Sequence, residues 1–459
     1  MFKRLYCLIA LSILLFFSMP GYALRLDISA ETDMKAANYS NLIYADKNYN
    51  SFFISENTKL GFYVYGIEQD AIPDASLDIG ISLQSISGMS ADKLAENPPL
   101  AQSQESYPSV NMTPYMREAY ANVHNLFSPK ISASIGLQDY SIGQGISLGS
   151  SNAGFPGVLL KAQDLFWGYS AEIFYFNPSK YEVSFSVSGS DAEISKNERK
   201  YHVYGGAINN KTEEGEWQAY HFYQHYGYSS TGTFSGQSLS EDRAFTGIRY
   251  AMKKKHISFD GEAVLQTGRA NLSGGEKGNF SGYAFMLKGS WEQGIYIFDN
   301  VKLRLAYGRS SAASYDSAGN PSADKDNSFY AALGKKYDGF IRTGYGAIAG
   351  ASLYDINPSS GTASGLPDGA SGLSIVNAGM DIPYKGLSVS ADYYKFKADY
   401  VNSVSRITAG DEVDLRILWP VGKSLSMELL YAYFSPGEKL FGESAEKTAL
   451  AAFSVKAKF

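Results

Sequence analysis

Residues 447–459 alternate along the chain. Ala449, Ala451, Phe453, Val455, Ala457 and Phe459 fall on one side of an extended backbone, and Leu450, Ala452, Ser454, Lys456 and Lys458 on the other. Small and apolar residues against mostly polar ones at a period of two predict a strand with one greasy and one wet face. The same period recurs upstream. Leu77, Ile79, Ile81 and Leu83 alternate with Asp78, Gly80, Ser82 and Gln84. Ile131, Ala133, Ile135 and Leu137 alternate with Lys130, Ser132, Ser134, Gly136 and Gln138. Tyr181, Val183, Phe185 and Val187 oppose Glu182, Ser184, Ser186 and Ser188, and Ile257, Phe259, Ala263 and Leu265 oppose Ser258, Asp260, Glu262 and Gln266. Val301, Leu303, Leu305 and Tyr307 oppose Lys302 and Arg304, and Val413, Leu415, Ile417 and Trp419 oppose Glu412, Asp414 and Arg416. No helix holds such patterns on one face. The chain reads as all-β.

Short and long connections take turns between these runs. Pro383-Tyr384-Lys385, Pro420-Val421-Gly422-Lys423 and Lys253-Lys254-Lys255 are tight, whereas 228–242, 310–327, 348–371, 397–410 and 435–447 are long and rich in Ser, Gly, Asp and Asn. Such alternation predicts a transmembrane antiparallel β-barrel, with brief turns on the periplasmic side and longer loops outside. Counting back from Phe459 puts 435–447, 397–410 and 348–371 outside. The stretch 88–112, with Pro98-Pro99, is an outer loop or one folded into the lumen. About 21 extended pieces can be marked, but bacterial single-chain barrels have even strand numbers. At least one piece is therefore not a strand, and 24–75 and 157–180, apolar or aromatic on both faces, are the places to look. The expectation is about 18 strands, with 16 or 20 as alternatives. A ring of that width leaves room for an aqueous lumen.

The first residues have a secretory layout. Lys3 and Arg4 precede an apolar run from Leu8 to Phe17, and Pro20-Gly21-Tyr22-Ala23 supplies small residues for a cut. The sequence predicts a signal peptide over 1–23 and a barrel over 24–459. The only cysteine, Cys7, lies in the segment to be removed, so no disulfide closes the remainder. Losing Lys3 and Arg4 turns 40 Lys+Arg against 46 Asp+Glu into 38 against 46, a balance of −8. That excludes a general affinity for nucleic acid. Beyond residue 23 no apolar run reaches the length of a transmembrane helix. Aromatics make up 14%, with 35 Tyr and 26 Phe. Trp167, Trp291 and Trp419, with Tyr307, Tyr393, Tyr394, Tyr431 and Tyr433, lie near strand ends, where amphipathic rings meet lipid headgroups.

Several stretches resemble a known family. Gly410-Asp411-Glu412-Val413-Asp414-Leu415, a short turn, then Leu429-Leu430-Tyr431-Ala432-Tyr433-Phe434-Ser435-Pro436-Gly437 and a last alternating strand ending in Phe resemble the alginate-export type of outer-membrane barrel. Glu118-Ala119-Tyr120, then Ile135-Gly136-Leu137-Gln138-Asp139-Tyr140, Gly143-Gln144-Gly145 and Gly154-Phe155-Pro156-Gly157-Val158 are similar to its earlier part. Related barrels read Gly-Arg-Gln and Phe-Asp-Gly there; Leu137 and Pro156 stand for the arginine and the aspartate. The resemblance implies an 18-stranded barrel in the bacterial outer membrane that conducts an anionic polysaccharide or other small solutes.

The candidates for lining such a pore are Lys302, Arg304, Arg416, Arg249, Lys130, Glu182, Glu262 and Asp414. A polyuronate channel calls for Arg and Lys in the lumen. Here the inward cations are matched by inward carboxylates, Glu412 and Asp392 among them, that can pair with them across strands. Lys302, Arg304 and Arg416 are the best basis for a basic strip. Catalytic, cofactor and metal sites are not expected. His221 and His225 share a strand face but lie ~13 Å apart, too far for one metal. Gly143-Gln144-Gly145 lacks the third glycine of a dinucleotide loop and reads as a loop that narrows a pore. The expected partners are outer-membrane lipid and, through the C-terminal strand ending in Phe459, the barrel assembly machinery, with no nucleic acid. The function expected is passive passage of small hydrophilic solutes or an anionic polysaccharide, and the chain is not expected to be an enzyme. The alternatives are a non-conducting adhesion or secretion barrel and, further off, an outer-membrane hydrolase.

Overall fold

Every strand of the structure except one two-residue piece pairs with its neighbours along the chain, and the last pairs with the first. The structure is a computed structural model that describes residues 25–44, 47–68, 75–89, 112–150, 153–178, 201–229, 238–272, 275–295, 298–313, 325–329, 344–353, 370–401, 404–438 and 446–459. Its strands are β1 (Arg25–Tyr44), β2 (Lys47–Glu68), β3 (Ser76–Met89), β4 (Tyr115–His124), β5 (Ile131–Gln138), β6 (Phe155–Ala162), β7 (Tyr169–Phe176), β8 (Tyr201–Lys211), β9 (Gly215–Ser229) and β10 (Ser238–Lys254). There follow β11 (Ile257–Leu272), β12 (Lys277–Ile295), β13 (Phe298–Ser310), β14 (Lys325–Asp326), β15 (Ala370–Tyr384), β16 (Leu387–Val401), β17 (Val404–Pro420), β18 (Leu425–Pro436) and β19 (Thr448–Lys458). β14 is two residues lying parallel on the end of β12, and β13 pairs directly with β15. The remaining strands form a closed antiparallel barrel of 18. β1 closes it against β19, from Glu31 opposite Lys458 to Ser40 opposite Ala449. Phe459 extends that seam, its N–H bonding Ala30 O at 2.8 Å and its C=O accepting from Ala30 N at 3.1 Å.

The alternation reads directly onto the wall. Leu303, Leu305 and Tyr307 on β13, Val413, Leu415, Ile417 and Trp419 on β17, and Leu429, Tyr431 and Tyr433 on β18 are exposed on the outside. Lys302, Arg304, Glu412, Asp414 and Arg416 take the inner side. A closed ring has no unpaired edge, so its outer face can be apolar all round without a second layer to cover it. Trp167, Tyr307, Tyr393, Trp419, Tyr431 and Tyr433 are exposed, while Tyr394 departs from its predicted place and points inward, lining the cavity described below.

The strand count differed from the marked pieces for identifiable reasons. The segments 24–75 hold two long strands of 20 and 22 residues, and 397–410 is no loop, because β16 and β17 continue to Val401 and from Val404. The two long loops predicted at 310–327 and 348–371 belong to one connection between β13 and β15. The tight turns fall at Lys255-His256, Lys385-Gly386 and 421–424. Lys385 and Gly386 take φ of 47° and 84°, the two left-handed positions of a two-residue hairpin turn. Residues 1–23, 88–112 beyond Met89 and before Met112, and the predicted run Tyr181–Val187 lie outside the described residues.

Packing inside the ring explains the ambiguous stretch 157–180. The inner faces of β6, β7, β9 and β10 carry Phe155, Phe174, Phe176, Phe222 and Phe245, all buried. Phe174 and Phe176 stack at 5.3 Å, Phe222 and Phe245 at 4.8 Å. In β6 and β7 the stretches 155–160 and 173–176 are apolar on both faces because the lumen beside them is filled by a loop, which carries Tyr140, Ile142 and Leu148 into the same cluster. Tyr140 lies 4.9 Å and 5.0 Å from the rings of Phe174 and Phe176.

Candidate functional site

Two loops from the long-loop end fold into the lumen, and a carboxylate on the wall holds each. The first, described over residues 139–150, leaves β5 and crosses toward β9, β11 and β12. Gln144 donates its backbone N–H to Glu262 on β11, and Tyr220 on β9 donates its hydroxyl to the same carboxylate. Gly143 N–H bonds Gln218 Oε1 at 2.7 Å, and Gln144 Nε2 bonds Asp260 Oδ1 at 3.1 Å. At the root of the loop the Tyr140 hydroxyl donates to Glu172 on β7 at 2.8 Å. Gly143 has φ of 60°, and a Cβ there would meet Glu262 Oε1 at 2.3 Å. Only glycine lets the backbone approach that carboxylate.

The second loop, residues 344–353, precedes β15. It is a tight turn in which Tyr345 and Ala351 exchange backbone bonds of 2.9 Å. Its tip turns three successive N–H groups toward β17. Ala347 N bonds Asp414 Oδ2 at 2.9 Å, Ile348 N bonds Glu412 Oε1 at 2.7 Å and Ala349 N bonds Glu412 Oε2 at 2.9 Å. Consecutive amides pointing into one concavity make a nest for an anion, here a carboxylate of the protein itself. Gly346, with φ of 82°, again stands where a Cβ would meet the carboxylate, 2.5 Å from Glu412 Oε2. The two loops solve one problem alike. A backbone segment inside the ring must satisfy its own amides, and glycine beside a wall carboxylate does so.

Between the loops and the wall lies a cavity of 1060 Å³. Its charged lining is Arg117, Lys288, Lys302 and Arg304 against Asp139 and Asp260, with Tyr140, Tyr345, Tyr394 and Asn377 among the rest. Burial raises the phenol pKa of Tyr345, and burial with the neighbouring Glu172 raises that of Tyr140, so both loop hydroxyls stay neutral donors.

Most of the charge inside is neutralised on the spot. Arg249 holds Asp260 with two bonds of 2.8 Å and 2.9 Å. Arg304 reaches Asp381 at 2.8 Å and Asp392 at 2.9 Å, Arg416 reaches Glu428 at 3.5 Å and Lys456 reaches Glu31 at 2.5 Å. Arg117 lies 3.4 Å from Asp139. Lys302 faces the cavity with no carboxylate in salt-bridge range among the described residues.

The eight predicted lining residues therefore separate. Lys302 and Arg304 line the cavity, and Arg249 and Arg416 face inward in ion pairs. Glu262 and Asp414 face inward but are 1% and 5% exposed, so they hold the loops rather than meet the pore. Lys130 lies in the turn before β5 and donates to Asp164 O, an exposed contact at the short-turn end, so it is not a lumen residue. Glu182 lies outside the described residues. Sequence reasoning did not single out Arg117, Lys288, Tyr345 or the amides of 347–349. The glycines of 143–145 flagged the first loop, and Gly344, Gly346 and Gly350 carry the same signal for the second. Outside the ring, His221 and His225 bond Thr246 at 2.8 Å and Asp242 at 2.6 Å, each separately.

Comparison with known proteins follows the same lines. A family model described as alginate export matches residues 87–337, a span that includes the first inward loop and excludes the late resemblance at 410–437. Among solved structures, Acinetobacter baumannii OccAB4 is similar over 94% of this chain and 98% of its own, at 12% identity and a TM-score of 0.56. Pseudomonas aeruginosa OccK8 (OprE) covers 95% and 98% at 10% identity and a TM-score of 0.55, and Pseudomonas aeruginosa OpdQ covers 95% and 98% at 11% identity and 0.54. At these identities the likeness is one of fold. No curated protein sequence matches.

Proposed function

The chain belongs to the alginate export family of bacterial outer-membrane barrels, and from that premise we propose that it is a passive channel for small hydrophilic solutes with a preference for anions. The carrying observation is the constriction, two loops clamped inside an 18-stranded ring around a lining of four cations and two carboxylates. A hydrated path with fixed charges selects by size and sign without any chemical step. Arg304 spends its charge on Asp381 and Asp392, while Lys302 has no carboxylate in salt-bridge range among the described residues, so Lys302 carries the positive excess of the lining. The packed lumen favours small solutes over an extended polymer, because Tyr140, Ile142 and Leu148 are locked against wall aromatics. The description of the matched family favours a second reading, passage of an anionic polysaccharide. Polyuronate added to one side of a planar bilayer separates the two: block supports the polymer reading, and unaltered current supports small solutes.

Lys302 gives a direct check. The Lys302→Glu variant is expected to lower the anion-to-cation permeability ratio by roughly two- to fivefold, since one charge reversal cancels the excess on the lining. Reversal potential under a salt gradient measures it. An unchanged ratio would place the selectivity elsewhere.

A further inference from the structure

On the outer surface at the long-loop end, four residues from four neighbouring strands stand in one transverse row. Arg309 on β13 is opposite Ser374 on β15, Ser374 is opposite Lys397 on β16, and Lys397 is opposite Thr408 on β17. With Tyr307, Ala398 and Asp399 they line a groove of 390 Å³ that shares no lining residue with the lumen cavity. Directly opposed residues in a sheet lie ~5 Å apart. The row therefore alternates cation, hydroxyl, cation, hydroxyl over a span the size of a headgroup.

Position in the membrane makes this unusual. On β13 the outward residues below Arg309 are Leu303, Leu305 and Tyr307, all exposed and apolar or aromatic. Cations are excluded from the apolar belt and tolerated at its boundary, which Tyr307 and Tyr393 mark. The row thus lies at the headgroup level of the outer leaflet. Two carboxylates nearby are already taken. Asp399 accepts from Arg309 Nη2 at 2.7 Å, and Asp411 lies 3.4 Å from Lys395 and accepts from the Tyr393 hydroxyl at 2.6 Å. Lys397 is exposed and has no carboxylate in range among the described residues. Arg309 has further N–H groups beyond the one given to Asp399.

We propose that this row binds the phosphate of a phosphorylated glycolipid in the outer leaflet, with its acyl chains lying along Leu303 and Leu305. A guanidinium fork, an ammonium and two hydroxyls supply the donors that a phosphate's oxygens accept. The lipid source follows from the setting: the groove opens toward the leaflet, and the apolar residues beneath it suit acyl chains. The row faces away from the pore, so it acts on barrel anchoring and not on conduction.

The test is native mass spectrometry of the refolded barrel in detergent. The probes are a diphosphorylated hexa-acyl glucosamine disaccharide, its dephosphorylated counterpart and inorganic phosphate. Wild type is expected to hold the phosphorylated lipid about tenfold better than the dephosphorylated one, as charge-assisted phosphate bonds predict. Lys397→Gln should lose most of that preference and Lys397→Arg should keep it, with single-channel conductance unchanged in both. Ser374→Ala with Thr408→Val leaves every charge in place and should reduce the preference several-fold, which separates the site from mere surface charge. Equal retention of the two lipids by wild type, or an undiminished preference in Lys397→Gln, would overturn the proposal. Displacement of the lipid by millimolar inorganic phosphate would overturn it too, in favour of a free-phosphate site.

Discussion

Replacing Glu262 by alanine is expected to raise the single-channel conductance several-fold while leaving the barrel folded. The carboxylate is 1% exposed and accepts from Gln144 N–H and the Tyr220 hydroxyl. Hydrogen bonds to a charged group contribute ~1.5–3 kcal/mol each. Of the two, the Gln144 bond ties the loop to the wall, so its loss weakens the docked loop by ~1.5–3 kcal/mol, where every 1.4 kcal/mol is a tenfold change in population. Ile142 and Leu148 still pack on the wall aromatics. The loop should therefore flicker rather than leave, and open-channel noise should rise with the mean current. Gly143→Val attacks the same contact from the other side, with a left-handed φ of 60° and a Cβ 2.3 Å from the carboxylate oxygen. It should give the same phenotype, and the double variant should go no further than either alone. Additive effects would mean that the two residues do not share a contact. Glu262→Gln, which keeps a carbonyl acceptor, should fall between. Wall pairing is untouched in all of these, so heat-modifiable migration on gels should match wild type.

The second large effect is expected at Glu412. Glu412→Ala withdraws both oxygens from Ile348 N and Ala349 N and leaves two buried amides unpaired. Unsatisfied buried donors cost ~1–3 kcal/mol each, so the turn 344–353 should leave its seat. Asp414 alone then holds Ala347 N. Conductance should rise again by several-fold, with no change in ion preference as large as that of Lys302→Glu, because Glu412 is 0% exposed and faces no permeating ion. The two loops have separate anchors on β11 and β17. Glu262→Ala with Glu412→Ala should therefore exceed either single variant, and single-channel recording with graded neutral polymers should show a wider cut-off. A double variant no more conductive than the singles would mean that one loop alone forms the constriction.

Much of this was readable from the chain, and the unread part has a physical cause. Period-two alternation fixes which way a side chain points, so the outer face of Leu303, Leu305 and Tyr307 and the inner face of Lys302, Arg304 and Arg416 followed from spacing alone. Depth is another matter. Alternation cannot tell an inward carboxylate in water from one capped by a loop, so Glu262 and Asp414 read from the chain as lining residues although they are anchors. Pairing across strands decided the basic strip. Arg304 is neutralised by Asp381 and Asp392, 77 and 88 residues along the chain, and Arg416 by Glu428; the alternation allows such cross-strand pairs but does not say which cation is left over. The expected 18 strands are those found; what misleads is the marking of individual extended pieces where the inward face is apolar. Phe174 and Phe176 on β7 lie there because a loop fills that part of the lumen, which removes the polar half of the alternation.

Single-channel recording of the refolded wild-type barrel in a planar bilayer under a salt gradient tests the central claim most directly. The account predicts small, discrete open steps with a reversal potential displaced to the anion side, and no block by added polyuronate. Absence of steps from protein shown by gel migration to be folded would contradict it and leave a sealed barrel. Large steps without ionic preference would contradict the constriction itself.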